Sequence, residues 1–437
     1  MKQAVILVGG KGTRIKKISN GLPKPMMLIL GKPLLQHIIE MCYKYGFLDI
    51  LLLASYRQKK IEDFFKDGSG FGVTINYCID KNPRGTAGAL LDSISMLDKK
   101  FLVIYGDTFF NVDLNLFWDF HNKKLGDASI FLHPNDHPQD SDLIDINSNN
   151  MVTNIYPYPH DGKWRRNLVN AALYVLNKSA FSDFIFKNNK PDIAKDLFPS
   201  MLKSGKKLYG YLSTEYIKDI GTLERITKVE NDISSGRVEM LKIKTKKIAI
   251  FLDRDGVINK EVNHLSSIDD FELIAGVEEA ISRVNMAGFL AVIITNQPVI
   301  ARGDLKEEDL RLIHDKMDTL LGLKGAYIDR LYYCPHHPDK GFIGEVSKLK
   351  FECDCRKPNI GLFTQAKREL NILIEKSWMI GDSSRDILSA NRIGLKSILI
   401  NNGQNNLDYR YDSTPTNIAK NLSEAVSLIL ENSKNDC

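Results

Sequence analysis

Long apolar runs are missing from this 437-residue chain. None approaches the ~20 residues that cross a bilayer as a helix. The greasiest stretches, residues 4–8, 50–54, 248–252 and 289–294, are strand-sized. The chain passes into the first of these at once, which leaves no room for a signal peptide. A cytoplasmic location without a membrane partner is therefore expected. Cysteine is scarce, at six residues, and in a reducing compartment those six are not expected to pair as disulfides. Charge of one sign is scarce too: 59 Lys and Arg against 54 Asp and Glu leave +5. The only local basic run is Lys242-Ile-Lys-Thr-Lys-Lys247. That balance points away from nucleic acid and toward small anionic substrates.

What is present is an ordinary globular composition, 43% hydrophobic and 26% charged, in a chain too long for one core. Short apolar runs alternate with amphipathic helical segments, the pattern of mostly parallel α/β sheets. Strands are expected at 3–8, 50–54, 73–77, 101–105, 128–132 and 169–176, with a helix over 33–45. The pattern restarts at Lys247: strand 248–252, helix 276–286, strand 289–294, helix 305–320 and strand 378–380. A helix from Gly221 to about Ser234 precedes Ser235-Gly236. Two Rossmann-like domains are therefore expected, each a mostly parallel sheet flanked by helices, over residues 1–234 and 247–437. Residues 235–246 read as the linker.

The first strand runs into Gly9-Gly10-Lys11-Gly12-Thr13-Arg14. Such a turn lets backbone N–H groups approach phosphate oxygens, although a glycine turn by itself is equally a structural device. It is not a P-loop, because Gly12 follows Lys11 where Ser or Thr is required. Downstream come Leu22-Pro23-Lys24-Pro25-Met26, Gly31-Lys32-Pro33-Leu34, Pro83-Arg84-Gly85-Thr86-Ala87-Gly88-Ala89, Tyr105-Gly106-Asp107-Thr108 and Lys218-Asp219-Ile220-Gly221-Thr222. In this order the set resembles the sugar-phosphate nucleotidyltransferases, and Gly106–Phe110 looks most like their heptose-1-phosphate guanylyltransferase branch. The resemblance implies that an anomeric phosphate attacks the α-phosphorus of a nucleoside triphosphate. It also implies that Gly9, Gly10, Gly12 and Thr13 line the nucleotide, Arg14 and Lys24 hold its phosphates, and Gly85 gives the base room. Asp107 and Asp219 would ligate Mg²⁺. Asn170-Ala171-Ala172 departs from the family's Asn-Ala-Gly, and the Glu-Lys pair expected before it is missing.

In the second half, strand 248–252 delivers Asp253-Arg254-Asp255-Gly256-Val257. Two carboxylates two residues apart beyond a buried strand belong at the carboxyl edge of a sheet. Later strands end in Thr295-Asn296-Gln297 and Gly381-Asp382-Ser383-Ser384-Arg385-Asp386. With Lys357, this set resembles the haloacid dehalogenase phosphatases. The resemblance makes Asp253 the nucleophile and Asp255 the general acid and base; Thr295 and Lys357 would neutralise the phosphoryl group. Mg²⁺ would rest on Asp253, Asp382 and the Asp255 carbonyl, Asp386 would buttress the loop, and Asn296, Gln297 and Arg302 would meet substrate.

Cys334-Pro335-His336-His337 and Cys353-Asp354-Cys355 supply three thiolates and an imidazole, a closed set suited to structural Zn²⁺. Cys334, His336, Cys353 and Cys355 are the expected ligands, with His337 left in solvent. This zinc-stapled loop, ending in Cys-Arg-Lys-Pro, resembles the D-glycero-D-manno-heptose 1,7-bisphosphate phosphatases and the related histidinol-phosphate phosphatases. In the heptose enzymes Arg356 would read substrate. Together the halves imply a bifunctional enzyme that removes the 7-phosphate of a heptose bisphosphate and then transfers a nucleotidyl group, GMP by resemblance, to the 1-phosphate. Histidinol phosphate, another hexose 1-phosphate, or a nucleotide-sensing first half remain the alternatives, with self-association left open.

Overall fold

The computed structural model describes residues 2–9, 21–55, 57–79, 84–401 and 410–435. Two compact units emerge. The first comprises Met1–His133, Ser141–Tyr158 and Leu168–Lys242; the second comprises Pro134–Asp140, Pro159–Asn167 and Ile243–Cys437. The division at residues 242 and 243 falls inside the expected linker, part of which, Arg237–Met240, is helical.

Strands of the first unit are β1 (Gln3–Leu7), β2 (Leu28–Ile29), β3 (Lys32–Pro33), β4 (Asp49–Ala54), β5 (Thr74–Ile79), β6 (Lys100–Tyr105), β7 (Thr108–Asn111), β8 (Ala128–His133), β9 (Leu143–Ile146), β10 (Val152–Tyr156), β11 (Val169–Asn177), β12 (Leu208–Leu212) and β13 (Tyr216–Asp219). β5, β4, β1 and β6 run parallel in that spatial order. β1 lies inside the sheet, and Ala4, Val5 and Ile6 are buried. A strand covered on both faces reads as an unbroken apolar run, which is why residues 3–8 were legible. Antiparallel β11 follows on β6, and β8 on β11. β9, β10 and β12 complete this nine-stranded sheet, while β7 pairs with β13 and β2 with β3.

β11 carries a local irregularity where it pairs with β8, between Asn170 and Tyr174. Ala172 lies within it at φ 56°, a left-handed conformation that costs an alanine roughly 1–2 kcal/mol. The Asn170 side chain accepts the Ala172 N–H at 3.1 Å and helps hold the bend. The family's glycine at this place thus has a backbone explanation, and this chain keeps the backbone without the glycine.

The second unit is an all-parallel sheet in the order β16-β15-β14-β17-β18-β19. Its strands are β14 (Ala249–Leu252), β15 (Leu290–Asn296), β16 (Arg330–Cys334), β17 (Trp378–Gly381), β18 (Lys396–Ile400) and β19 (Asn417–Ala419). Leu252 stands between Ile293 of β15 and Ile380 of β17. Helices Val277–Met286, Glu307–Gly322 and Leu422–Asn435 contribute buried apolar residues, Ile281, Ile313 and Ile429 among them, to the core beside the sheet. Because β14 and β17 are in register at their ends, the residues that follow them, Asp253 and Asp382, emerge side by side. The expected α/β architecture and mostly parallel sheets are what the chain adopts.

Replacing Ala172 by glycine relieves the left-handed strain but enlarges the unfolded ensemble, an offset of roughly 0.4–1 kcal/mol. The net expectation is a first unit more resistant to urea by about 0.5 kcal/mol, read from its own unfolding midpoint. A lower midpoint would show that the bend stores no strain.

Candidate functional site

In the first unit the parallel pairing of β1 with β6 sets Leu7 beside Tyr105. Gly9 and Asp107 therefore leave neighbouring strands at one edge of the sheet. Lys24 begins a short helical turn, Lys24–Met26, between Pro23 and Pro25. Its Nζ lies 2.5 Å from Asp107 Oδ2, with the two side chains 15% and 36% exposed. A cavity of about 720 Å³ opens over this pair, lined by Gly9, Ser55, Arg84, Gly85 and Thr86 among others. β13 brings in the second carboxylate. Asp219 pairs with Thr108 across the β13–β7 ladder, and the Ile220 N–H donates to the Asp107 carbonyl at 2.8 Å. Arg225 holds Asp219 Oδ2 at 2.5 Å.

Gly85 borders the cavity, but its glycine requirement is internal. It sits at φ 81°, and a Cβ there would meet the Pro191 carbonyl oxygen at 2.5 Å. Gly10, Gly12, Thr13 and Arg14, expected to line the phosphates, lie outside the described residues.

In the second unit one buried lysine organises the sheet edge. Lys357 Nζ lies 2.8 Å from Asp253 Oδ2, 2.6 Å from Asp386 Oδ1 and 2.8 Å from the Ile294 carbonyl. Asp253, Asp382 and Asp386 present oxygens within 4.8 Å of one another, a grouping able to hold a cation. Asp386 also closes a capping box with Ser383, accepting its hydroxyl at 2.6 Å, so it braces the loop as expected. Gly256 has φ 77°, and a Cβ on it would stand 1.8 Å from Asp382 Oδ2. Only glycine lets the loop after β14 pass so close to that carboxylate.

Asp255 is held from several sides. Arg254 reaches its Oδ1 at 2.8 Å and its Oδ2 at 3.0 Å, Asn259 donates to Oδ1 at 3.0 Å, and Gln297 donates to Oδ2 at 2.9 Å. Burial raises the Asp255 pKa, but the Arg254 charge and these donors prevail and hold it below the ordinary carboxylate value. Asp253 and Asp382 go the other way. Burial is the largest cause for both, and neighbouring carboxylates add to it, so they rise to about 7 and about 8. Lys357 offsets only part of this rise, and crowded carboxylates of this kind are what a divalent cation relieves.

Of the expected substrate contacts, Asn296 and Gln297 have their polar groups engaged by protein. Asn296 exchanges two hydrogen bonds with the Lys357 backbone, 3.0 and 3.1 Å. Gln297, 2% exposed, binds Asp255, Arg254 and Thr295. Arg302 stacks on Phe342 at 4.3 Å, and Arg356 donates to the His336 carbonyl at 3.2 Å. Arg254 and His314 were missed. A charged residue between two aspartates gives no sign in sequence that it will be wholly buried.

The four zinc-type ligands converge. Cys355 Sγ lies 3.1 Å from the sulfurs of Cys334 and Cys353, and 3.2 Å from His336 Nδ1. Burial pushes the Cys355 thiol up to about 11, with Cys353 adding to the rise and the hydrogen bond to Cys334 opposing it; a metal cation would reverse that penalty. His337 corrects the expectation of a solvent neighbour. It is 8% exposed, edge-on to Phe342 at 5.8 Å, and accepts the Asp339 N–H at 3.2 Å.

Comparison with known proteins agrees with both geometries. The nucleotidyl transferase family matches residues 3–236, more than half of the chain. A 7-phosphatase of D-glycero-beta-D-manno-heptose-1,7-bisphosphate from Photorhabdus laumondii is 42% identical over 158 residues, 36% of this chain and 81% of that protein. The chain belongs to both families. The Haemophilus ducreyi phosphatase of the same name is 41% identical over 160 residues, 36% of this chain and 85% of its own length. A HAD-hydrolase-like family matches residues 354–425. Among solved structures, HddC of Yersinia pseudotuberculosis complexed with GMP-PN is 28% identical with a TM-score of 0.46, covering 53% of this chain and 100% of that one. The protein is thus a nucleotidyltransferase fused to a haloacid dehalogenase phosphatase. No helix among the described residues is long and apolar enough to cross a membrane.

For the phosphatase, Gly256→Ala forces either the Asp253–Val257 loop or Asp382 to move. Phosphate release from a phosphomonoester is expected to fall at least ~100-fold, the scale of a misplaced reacting group, with nucleotidyl transfer unchanged. A fall below threefold would show that the fit against Asp382 is not required.

Proposed function

We propose that the protein catalyses consecutive steps of nucleotide-activated heptose synthesis. It first hydrolyses the 7-phosphate of D-glycero-D-manno-heptose 1,7-bisphosphate, then joins the 1-phosphate to a nucleotidyl group, GMP in preference to AMP or CMP. The observation behind the first step is the Lys357-centred cluster of Asp253, Asp382 and Asp386 at the edge of the parallel sheet, in a chain section more than 40% identical to heptose bisphosphate phosphatases. The guanine preference rests on the Gly-Asp-Thr-Phe-Phe wording at Gly106–Phe110.

In the phosphatase, an Asp253 carboxylate oxygen attacks phosphorus and the bond from phosphorus to the sugar oxygen breaks. Asp255 supplies the proton that the departing alkoxide takes. Water then attacks the aspartyl-phosphate, giving its proton to Asp255, and inorganic phosphate leaves as the Asp253 carboxylate is restored. Asp255 is held as a carboxylate in the free enzyme; an arriving phosphate adds negative charge and raises its proton affinity when the acid is needed. Lys357 and Thr295 offset the charge of the transferring group. Mg²⁺ fits the oxygen donors of Asp253 and Asp382, and when bound it shields the nucleophile from the substrate's charge.

In the transferase, an oxygen of the anomeric phosphate attacks the α-phosphorus of the triphosphate, and pyrophosphate leaves from the opposite side. Lys24 and Arg14 hold the phosphates, and catalysis is chiefly positioning and cationic stabilisation. Asp107 and Asp219 suit Mg²⁺ by their hard oxygens; each now faces a cationic side chain that a bound metal–triphosphate would draw away. We place both reactions in the cytoplasm, where nucleoside triphosphates are made.

Supplied with the heptose bisphosphate and each triphosphate, the protein should release phosphate, then pyrophosphate, fastest with GTP. Asp253→Asn should abolish phosphate release and leave transfer to added heptose 1-phosphate intact, and Asp107→Asn should do the converse. Phosphate without pyrophosphate under every triphosphate would sink the coupled reading, and turnover of histidinol phosphate in place of the heptose ester would move the phosphatase to its sister family.

The sulfur and imidazole set is assigned to structural zinc, which would pin the loop from Cys334 to Arg356 without doing chemistry. Metal analysis should find stoichiometric zinc, lost in Cys353→Ser together with phosphatase activity by at least ~10-fold, while transfer persists. Full activity in a zinc-free Cys353→Ser protein would remove the assignment.

A further inference from the structure

Arg254 is the largest wholly buried side chain of the described residues, at 0% exposure. Taking a guanidinium out of water costs several kcal/mol unless it is paired and hydrogen-bonded. Its pairing here is unusual in one respect: the ion partner, Asp255, is the next residue in the chain. Such a pair ties no distant segments together, so it adds little as a fold staple.

The guanidinium of Arg254 also reaches two side chains distant in sequence. One terminal nitrogen, NH2, donates to Gln297 Oε1 at 3.0 Å, and the other, NH1, lies 3.1 Å from His314 Nε2. Gln297 returns the contact by giving its amide hydrogen to Asp255 Oδ2. His314 stands on the helix Glu307–Gly322. Burial and the Arg254 charge keep its imidazole neutral, so Nε2 can accept from Arg254. Asp255 itself keeps 23% of its side chain exposed. The carboxylate is therefore partly open to solvent, while Arg254, Gln297 and Asn259, the groups that hold it, are buried.

We propose that Arg254, Gln297 and His314 form a positioning set that fixes the Asp255 carboxylate for proton transfer to and from the phosphoryl centre, His314 anchoring the guanidinium and Gln297 clamping the far oxygen. The Arg254 and Gln297 side chains act through the Asp255 oxygens they hold, and His314 acts through Arg254. The inference rests on the phosphatase reading, with Asp255 as the acid. It also gives Gln297 a different task from the substrate contact that its place after β15 suggested.

Leaving-group dependence separates positioning of an acid from general structural support. The quantity kcat/KM reports steps up to formation of the aspartyl-phosphate, the stage at which the leaving oxygen needs its proton. An alkyl ester needs that proton; a 4-nitrophenyl ester, whose leaving group is a stable anion, does not. The full-length protein is assayed with phosphomonoesters from the heptose bisphosphate through phenyl to 4-nitrophenyl phosphate, for the parent, Gln297→Met, His314→Leu and His314→Gln. Gln297→Met and His314→Leu should lose at least ~10-fold in kcat/KM toward the alkyl ester and less than threefold toward the 4-nitrophenyl ester. His314→Gln, which keeps an acceptor for Arg254, should recover most of the loss.

Equal losses across the series, or none, would overturn the positioning role, as would a rise in KM alone. A parent that hydrolyses no member of the series removes the phosphatase reading, and this inference with it. Retained turnover of 4-nitrophenyl phosphate shows that the second unit of each variant remains folded.

Discussion

Parallel strands deliver their carboxyl ends to one edge of a sheet, and in each half of this chain a lysine closes on the aspartate emerging there. Lys24 meets Asp107 at 2.5 Å, and Lys357 meets Asp253 at 2.8 Å. Acidic groups gathered for metal and phosphate chemistry repel one another when water is thin, and a cationic neighbour keeps the metal-free arrangement stable. The second pair is the more demanding. Lys357 is 2% exposed and Asp386 wholly buried, so both depend on the backbone around them. Asn296 grips the Lys357 backbone and Ser383 grips Asp386. The rest of the phosphatase edge follows from where those two strand ends and one lysine stand.

The two halves solve the same charge problem at different depths. The transferase pair lies beside an open cavity, with Asp107 36% exposed, as suits a site that admits a large polyanion. In the phosphatase Asp253 is 13% exposed and its lysine partner 1%. A phosphoryl group there exchanges water for fixed charges, the condition under which a carboxylate can act as a nucleophile toward an anion.

Much of this was legible in the sequence, for a physical reason. Strands buried on both faces write themselves as apolar runs, so β1, β4, β6, β14, β15 and β17 could be read directly, and Asp107, Asp253 and Asp382 follow from the ends of β6, β14 and β17. Strands with little burial could not: β10 is buried only at its first residue, and β19 has three residues, of which Ile418 is 59% exposed. Side-chain direction was the other gap. Asn296 and Gln297 stand where substrate contacts were expected, yet turn their amides to Lys357 and Asp255. His337 follows His336 directly and still turns inward onto Phe342. The segments Pro134–Asp140 and Pro159–Asn167 group with the second unit, although nothing in their composition sets them apart from the first.

The loop that carries Arg356 and Lys357 begins at Cys334, at the end of β16, and returns to it through the contact of Cys355 with Cys334. Its two ends are therefore fastened to each other, and the outer arc is free of the duty of placing the lysine. Ile343, fully solvent-exposed, stands clear at that arc, while Phe342 beside it packs against Arg302 and the Val346 N–H donates to the Ala301 carbonyl at 3.0 Å. Such an architecture gives the tip of the loop a side chain that can change without loss of packing, whereas its flanks and its base cannot.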